Sequence, residues 1–230
     1  MVVSAIIAAA GTSRRMEGRD KLWTPLAGRL TLARTVNVFE ASPLIESIVL
    51  VVNEERLADA AALRRQEGWG KITAIVAGGA RRQDSVRAGL TSLAETAPAT
   101  QWVMIHDGAR PLVTPALIEA GLLAAQQHHA AIAAVPVKDT IKQGVMGFVQ
   151  ATIDRANLWA VQTPQVFSFA LISQAYALIE LPDDVTDDAA LLERQGHRVA
   201  IFPGSYSNIK ITTAEDVLIA EALLRGVERP

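Results

Sequence analysis

The chain has 230 residues, half of them hydrophobic and a fifth charged, with a formal net charge of −2 at pH 7. That balance suits one large domain or two small ones with a substantial core, and it excludes a nucleic-acid binder relying on bulk positive charge. There is no cysteine, which excludes disulfides, a thiolate nucleophile and a cysteine-based zinc site.

No basic stretch precedes the first apolar run, and no apolar run approaches about 18 residues. Neither a signal peptide nor a membrane span is expected, and the cytoplasm is the expected location. The first expected strand, VVSAIIAA, stops at Gly11, and Arg14, Arg15, Arg19 and Lys21 follow closely. A parallel strand ending in small residues opens its loop at the carboxyl edge of the sheet, where open α/β folds bind ligands. Small side chains let backbone N–H groups approach a phosphate, and Arg and Lys supply countercharge. The stretch reads as a polyphosphate site, with a tight turn carrying a solvated basic face as the alternative. It is not a dinucleotide fingerprint, since Gly11 is followed by Thr12 and Ser13, and it is not a P-loop.

Further along, SIVLVVN, ITAIVA, WVMIHD and AAIAAVPV read as strands covered on both faces. Helices are expected near 31–41, 54–67 and 83–95. The segment TPALIEAGLLAAQQHH forms another, with Thr114 as cap and Pro115 in the first turn. Strands alternating with helices imply right-handed crossovers and a largely parallel sheet. The alternation breaks at 137, where residues 137–157 read as a hairpin or arm around Gly144 and Gly147 that grips a neighbouring copy. Helices return near 168–180, 186–195 and 213–225, with a strand at HRVAIF. The expected architecture is a single α/β domain over 1–230, Rossmann-like, with a mostly parallel sheet and a protruding β-arm used in dimerisation.

In AGGARRQDSVRAGL, Gly78 and Gly79 precede a helix, with Arg82 and Ser85 near its start. The glycines and Ser85 could read a base edge, or form an ordinary strand-to-helix connection. In HDGARP, Asp107 ends a central strand ahead of Gly108 and Arg110; its carboxylate could contact Mg²⁺ or a sugar hydroxyl, or cap the strand. His106 reads as a packed histidine, and His128 and His129 as solvent-facing. Thr186, with Asp187 and Asp188, reads as a helix N-cap followed by acidic first-turn residues. QTPQ reads as a turn near a helix start. Lys210 lies between Ile209 and Ile211, so alternation sends it to the opposite face from both.

Together and in order, AAAGTSRRM…K, GGARRQDSV, HDGARP, DTIK, DR…LW…QTPQ, TDDA and NIKIT closely resemble one family over essentially the whole chain. It is the 2-C-methyl-D-erythritol 4-phosphate cytidylyltransferases of the non-mevalonate isoprenoid pathway. The resemblance implies CTP and a polyol phosphate as substrates, Mg²⁺ as cofactor, and neither nucleic acid nor membrane as partner. Arg15 and Lys21 would stabilise charge at the α-phosphate, and Arg155 and Lys210 would position the acceptor phosphate. Ala8, Ala9, Ala10 and Gly11 would follow the nucleotide. Gly79 and Ser85 would read cytosine, with Asp107 and Gly108 near ribose and acceptor. Arg110, Thr140, Thr163 and Thr186 would line the sugar-alcohol side. In this family the arm clasps a second subunit, so Thr140 would help complete the partner's site. The sequence departs from the family pattern at Ala8, Ser13, Leu22, Trp23 and Ala80. Competing readings are a cytidylyltransferase for another polyol phosphate such as ribitol 5-phosphate, a nucleotide-binding scaffold without catalysis, and, weakly, a dehydrogenase.

Overall fold

A computed structural model describes residues 1–11, 20–177 and 185–227. A seven-stranded sheet runs through its middle in the order β11-β7-β10-β6-β1-β4-β5. Its strands are β1 (Val3–Ala9), β4 (Ser47–Val52), β5 (Ile72–Ala77), β6 (Trp102–Asp107), β7 (Ala130–Pro136), β10 (Trp159–Ser168) and β11 (Ala200–Pro203). Two further pairs stand apart from it: β2 (Pro25–Leu26) with β3 (Arg29–Leu30), and β8 (Ile141–Val145) with β9 (Phe148–Ile153). The helices are α1 (Thr31–Ala41), α2 (Leu57–Glu67), α3 (Arg82–Thr96), α4 (Pro115–His128), α5 (Phe169–Ala177), α6 (Ala189–Arg194) and α7 (Ala214–Val227).

Strand periodicity divides the core into two layers. On β1, Ala5, Ile7 and Ala9 join one apolar cluster while Ile6 joins the other. On β4, Ile48, Leu50 and Val52 face the first, and Val49 and Val51 the second. The first layer packs under α1, α2 and α4, and the second under α3, α5 and α6. This is why the strands read as unbroken apolar runs. Each fully buried Ile or Leu contributes about 1.5–3 kcal/mol of transfer free energy.

Local chemistry sets the helix ends. Thr114 Oγ1 accepts from the Leu117 N–H at 3.3 Å with Pro115 in the first turn, as expected from sequence. Gly68, at φ 72, ends α2 in the left-handed region, where a side chain would be strained.

Two sequence expectations are corrected. QTPQ is not a turn: it lies inside β10, which pairs antiparallel with both β6 and β7. The sheet is therefore mixed, though its other neighbours are parallel. The expected helix at 186–195 begins only at Ala189. The β8–β9 pair forms the hairpin expected around Gly144 and Gly147, and most of its residues are exposed.

Candidate active site

β1 lies between β4 and β6, all three parallel. Its C-terminal end is thus flanked by Asn53, just past β4, and by Asp107, the last residue of β6. This carboxyl edge holds a cavity of about 300 Å³ lined by Ala8, Ala9, Ala10, Gly11, Lys21, Asn53, Gly79, Ser85, Asp107 and Lys210, among others. Gly78 makes the close approach possible: a Cβ there would stand 2.3 Å from Ala10 Cβ and 2.6 Å from Ser85 Oγ. The glycine joins the end of β5 to the start of α3 without pushing Ser85 away from the cavity.

A second cavity, of about 250 Å³, adjoins it. Its walls include Arg110, Gln162, Thr163 and Thr186, and it shares Arg82, Asp107 and Lys210 with the first. The antiparallel strand supplies much of this wall. A register shift between Val161 and Gln165 interrupts the ladder, and Thr163 sits there beside Asp107. Thr163 Oγ1 accepts from the Asp107 N–H at 3.0 Å and lies 3.0 Å from His106 Nδ1. His106 Nε2 lies 3.2 Å from the Arg110 carbonyl. With the threonine hydroxyl donating to Nδ1, the ring carries its proton on Nε2 and donates it to that carbonyl. Burial lowers the His106 pKa to about 4, so the ring is neutral at physiological pH. His106 is the packed histidine its sequence context indicated.

Asp107 is the electrostatic centre of both cavities. Lys210 Nζ stands 2.8 Å from its carboxylate, Arg82 Nε 3.3 Å and Arg110 Nε 3.7 Å. Burial works to raise its pKa, but Arg82, Lys210 and Arg110 outweigh burial and hold it well below the usual carboxylate range. Lys210 reaches it because the strand-like alternation around it is real: Ile211 is fully buried while Lys210 points into the cleft. The Ile211 N–H donates to the Ala109 carbonyl at 2.8 Å, and Arg110 Nη1 donates to the Asn208 carbonyl at 2.8 Å. These bonds tie the Lys210 loop to the segment after β6.

Two anion-ready cavities with a shared cluster of Arg82, Lys210 and Asp107 suit two phosphorylated reactants meeting at one wall. A family model described as "IspD: 2-C-methyl-D-erythritol 4-phosphate cytidylyltransferase" matches residues 3–226. The chain belongs to this cytidylyltransferase family. It is 49% identical over 224 residues to the 2-C-methyl-D-erythritol 4-phosphate cytidylyltransferase of Dehalococcoides mccartyi strain 195, covering 97% of this chain and 96% of that one. It is 45% identical over 231 residues to the protein of the same name from Halalkalibacterium halodurans, covering all of both chains. The crystal structure of 4-diphosphocytidyl-2C-methyl-D-erythritol synthase from Anaerococcus prevotii superposes with a TM-score of 0.84 at 32% identity, over 97% of this chain and 96% of that one. The cytidylyltransferase from Thermus thermophilus superposes with a TM-score of 0.78 at 30% identity, over 98% of this chain and all of that one.

The cytidylyltransferase residues named from sequence fall into five groups. Ala8, Ala9, Ala10, Gly11, Lys21, Gly79, Ser85, Asp107 and Lys210 line the first cavity, and Arg110, Thr163 and Thr186 the second. Gly108 is not among the residues lining either: its N–H donates to the Ala8 carbonyl at 2.8 Å, and a Cβ there would lie 3.1 Å from Ala9 Cβ. It packs the loop against β1. Thr140 and Arg155 are exposed and belong to the hairpin segment, where Arg155 Nη1 donates to the Lys138 carbonyl. Arg15, with Ser13, Arg14 and Arg19, lies outside the described residues.

Sequence reasoning placed Asp188 in the first turn of a helix and Arg82 merely near a helix start. In the fold Asp187 does the capping, accepting from the Ala190 N–H at 3.1 Å, and Asp188 is buried against Arg82. A signal was present: Asp188 adjoins Ala189, Leu191 and Leu192, all buried, so it falls on the core side of a short helix.

Proposed function

We propose that this protein transfers CMP from CTP to 2-C-methyl-D-erythritol 4-phosphate, giving 4-diphosphocytidyl-2-C-methyl-D-erythritol and pyrophosphate. The observation that carries the reading is the pair of cavities meeting at Asp107, Lys210 and Arg82, in a chain of this family. The first cavity takes the nucleotide, with Gly79 and Ser85 at the base and Lys21 at the phosphates. The second takes the polyol phosphate, with Thr163, Thr186 and Arg110 on the sugar-alcohol side.

A phosphate oxygen of the acceptor forms a bond to the α-phosphorus of CTP as the bond to the pyrophosphate oxygen breaks. The nucleophile is a phosphate monoester, already anionic near neutral pH, so no side-chain base is needed. The barrier lies in bringing two anions together in line, and catalysis is alignment with charge neutralisation. Lys21 and Arg15 serve the α-phosphate, and Lys210 the acceptor phosphate. Lys210 suits this role because it is held by Asp107, yet its side chain is 37% exposed. An incoming phosphate can draw it across without refolding anything.

Magnesium fits this donor set in a restricted way. Among the described residues no group of three or more His, Asp or Glu side chains could hold a metal by itself. Mg²⁺ in nucleotide enzymes needs only one or two carboxylates beside substrate phosphates. Asp107 would be the protein ligand, and the ion would supply further countercharge to the triphosphate.

The hairpin bears exposed Met146, Phe148 and Val149 beside exposed Thr140 and Arg155. Large apolar side chains displayed on a two-stranded ribbon suit a partner subunit. In a homodimer, Thr140 and Arg155 of one subunit complete the acceptor cavity of the other. No helix among the described residues is long and apolar enough to cross a membrane.

The test is pyrophosphate release with each of the four nucleoside triphosphates and several polyol phosphates. Release that needs CTP and 2-C-methyl-D-erythritol 4-phosphate together supports the reading. Preference for ribitol 5-phosphate, or release without acceptor, overturns it.

A further inference from the structure

Asp188 is 0% exposed and takes the Arg82 guanidinium in a two-point grip. Nη1 lies 2.9 Å from Oδ1 and Nη2 2.8 Å from Oδ2. Behind the carboxylate, the buried Tyr176 hydroxyl donates to Oδ1 at 2.5 Å, and the Asp188 N–H donates to Gln165 Oε1 at 3.1 Å. In front of it, the Nε of the same guanidinium reaches Asp107 at 3.3 Å. A chain of contacts thus runs from Tyr176 on α5, through Asp188 and Arg82, to the carboxylate between the two cavities. Family membership and the sequence motifs assign no role to its inner members.

The chain matters because Arg82 lines both cavities. A guanidinium at the wall of a phosphate site is itself a phosphate ligand. When a substrate phosphate draws Lys210 away, Asp107 keeps Arg82 as a partner only if Arg82 is anchored elsewhere. The bidentate bond to Asp188 is that anchor, and its planar geometry fixes where Nε points. We propose that Asp188 and Tyr176 are positioning residues for the transfer reaction, holding Arg82 against Asp107 so that this carboxylate keeps one orientation while substrates exchange around it. The proposal rests on the cytidylyl-transfer reading.

Burial on its own would lower the Arg82 pKa, but the Asp188 and Asp107 carboxylates outweigh it and keep the guanidinium charged. Burial, then Asp188, raises that of Tyr176, so its hydroxyl stays a donor. The inner chain is therefore not a proton relay. Arg82 stays charged and the Tyr176 hydroxyl keeps its proton, so the chain acts as a charge-paired strut.

The experiment compares Asp188→Asn, Tyr176→Phe, Arg82→Met and Arg82→Met/Asp188→Asn with wild type. Losing a group that orients a site residue typically costs about 10–100-fold, and Asp188→Asn is expected to lose that much kcat/KM for the polyol phosphate. The KM rises for both substrates, because Arg82 and Asp107 wall both cavities. A merely structural role lowers the folded fraction and leaves both KM values unchanged. Tyr176→Phe shows the same rises, smaller. The double variant removes both partners of the ion pair together, which avoids stranding the buried Asp188 carboxylate. If Asp188 acts through Arg82, it loses no more than the Arg82→Met single variant; losses that multiply overturn the proposal. Should Asp188→Asn fail to fold, Tyr176→Phe decides, and wild-type KM values there overturn the proposal. A crystal structure of Tyr176→Phe or Asp188→Asn gives a readout besides activity. Arg82 turned from Asp107 supports the strut, and Arg82 and Asp107 unmoved in Asp188→Asn refutes it. An inactive wild type, by contrast, refutes the transfer reading, and that structure still decides the strut.

Discussion

Lys210 Nζ sits 2.8 Å from the Asp107 carboxylate, bringing the loop before α7 onto the end of β6. Asp107 also holds Arg82 and Arg110, so the lysine is one of three cations on a single carboxylate. That arrangement keeps Lys210 in place without committing it. Lys210→Ala is expected to lower turnover about 10²–10³-fold, the usual cost of removing one preorganised charged donor. Saturating kcat with both substrates measures it. A loss of less than about tenfold would remove Lys210 from the charge-neutralising set.

Mixing subunits tests the shared site. Lys21→Ala and Arg155→Ala are each expected to be nearly inactive alone. In a homodimer whose sites draw on both subunits, exchange of the two variants creates dimers with one intact site. Equal mixing should then restore about a quarter of wild-type activity, from half the dimers carrying half their sites. The mixture is assayed after overnight exchange, with size-exclusion chromatography as control. Activity that stays at the level of the separate variants would place Arg155 in its own subunit's site or outside the reaction.

His106 makes folding sensitive to mild acid. Its folded pKa of about 4 lies below the 6.5 of the free side chain, because burial disfavours the charged ring. Between those values the unfolded chain binds the extra proton, so stability falls as pH drops from 6.5 toward 4. The loss approaches about 3 kcal/mol at the lower end. Asp107, held well below its usual range, acts in a different window: its contribution is lost only as pH falls below the ordinary carboxylate value of 3.8. Urea unfolding from pH 7 to 4.5 checks this. In His106→Gln the slope should flatten in that range, and an unchanged slope would assign the acid sensitivity to another group.

Gly78 is expected to be intolerant of the smallest side chain. Its Cβ would meet Ala10 Cβ at 2.3 Å and Ser85 Oγ at 2.6 Å, and one of the two walls must move. Gly78→Ala should destabilise the fold by about 1–3 kcal/mol. It should also weaken CTP binding, because Ala10 and Ser85, whichever moves, both line the first cavity. Calorimetric titration with CTP and a thermal melt separate the two effects. Unchanged CTP affinity would mean that Ser85 and Ala10 do not contact the nucleotide.

How far the sequence could be read follows from which interactions are local. The strands β1, β4, β6 and β7 were legible because a strand buried on both faces is apolar at most positions, whereas β5, half-exposed at the sheet edge, was legible from its β-branched run. The capped start of α4 was legible because Thr114 and Pro115 act within one turn. The Gly11 loop, Gly79–Ser85 and Asp107 could be picked out for the same reason: each sits at a strand end, where parallel topology gathers them. β10 escaped because QTPQ carries polar residues and a proline in a central strand. Only the register shift there, which turns Gln162 and Thr163 toward the site, makes that composition sensible. Asp188 escaped because its carboxylate looked like first-turn chemistry, and nothing nearby in the chain reveals that Arg82 will lie against it. Alone, the sequence determined the layers, the sheet edge that carries the candidate site and the family, all of which follow from local pattern and ordered motifs. Which carboxylate pairs with which cation was decided by the tertiary structure, because charge pairing depends on distance in space between residues that chain order keeps far apart.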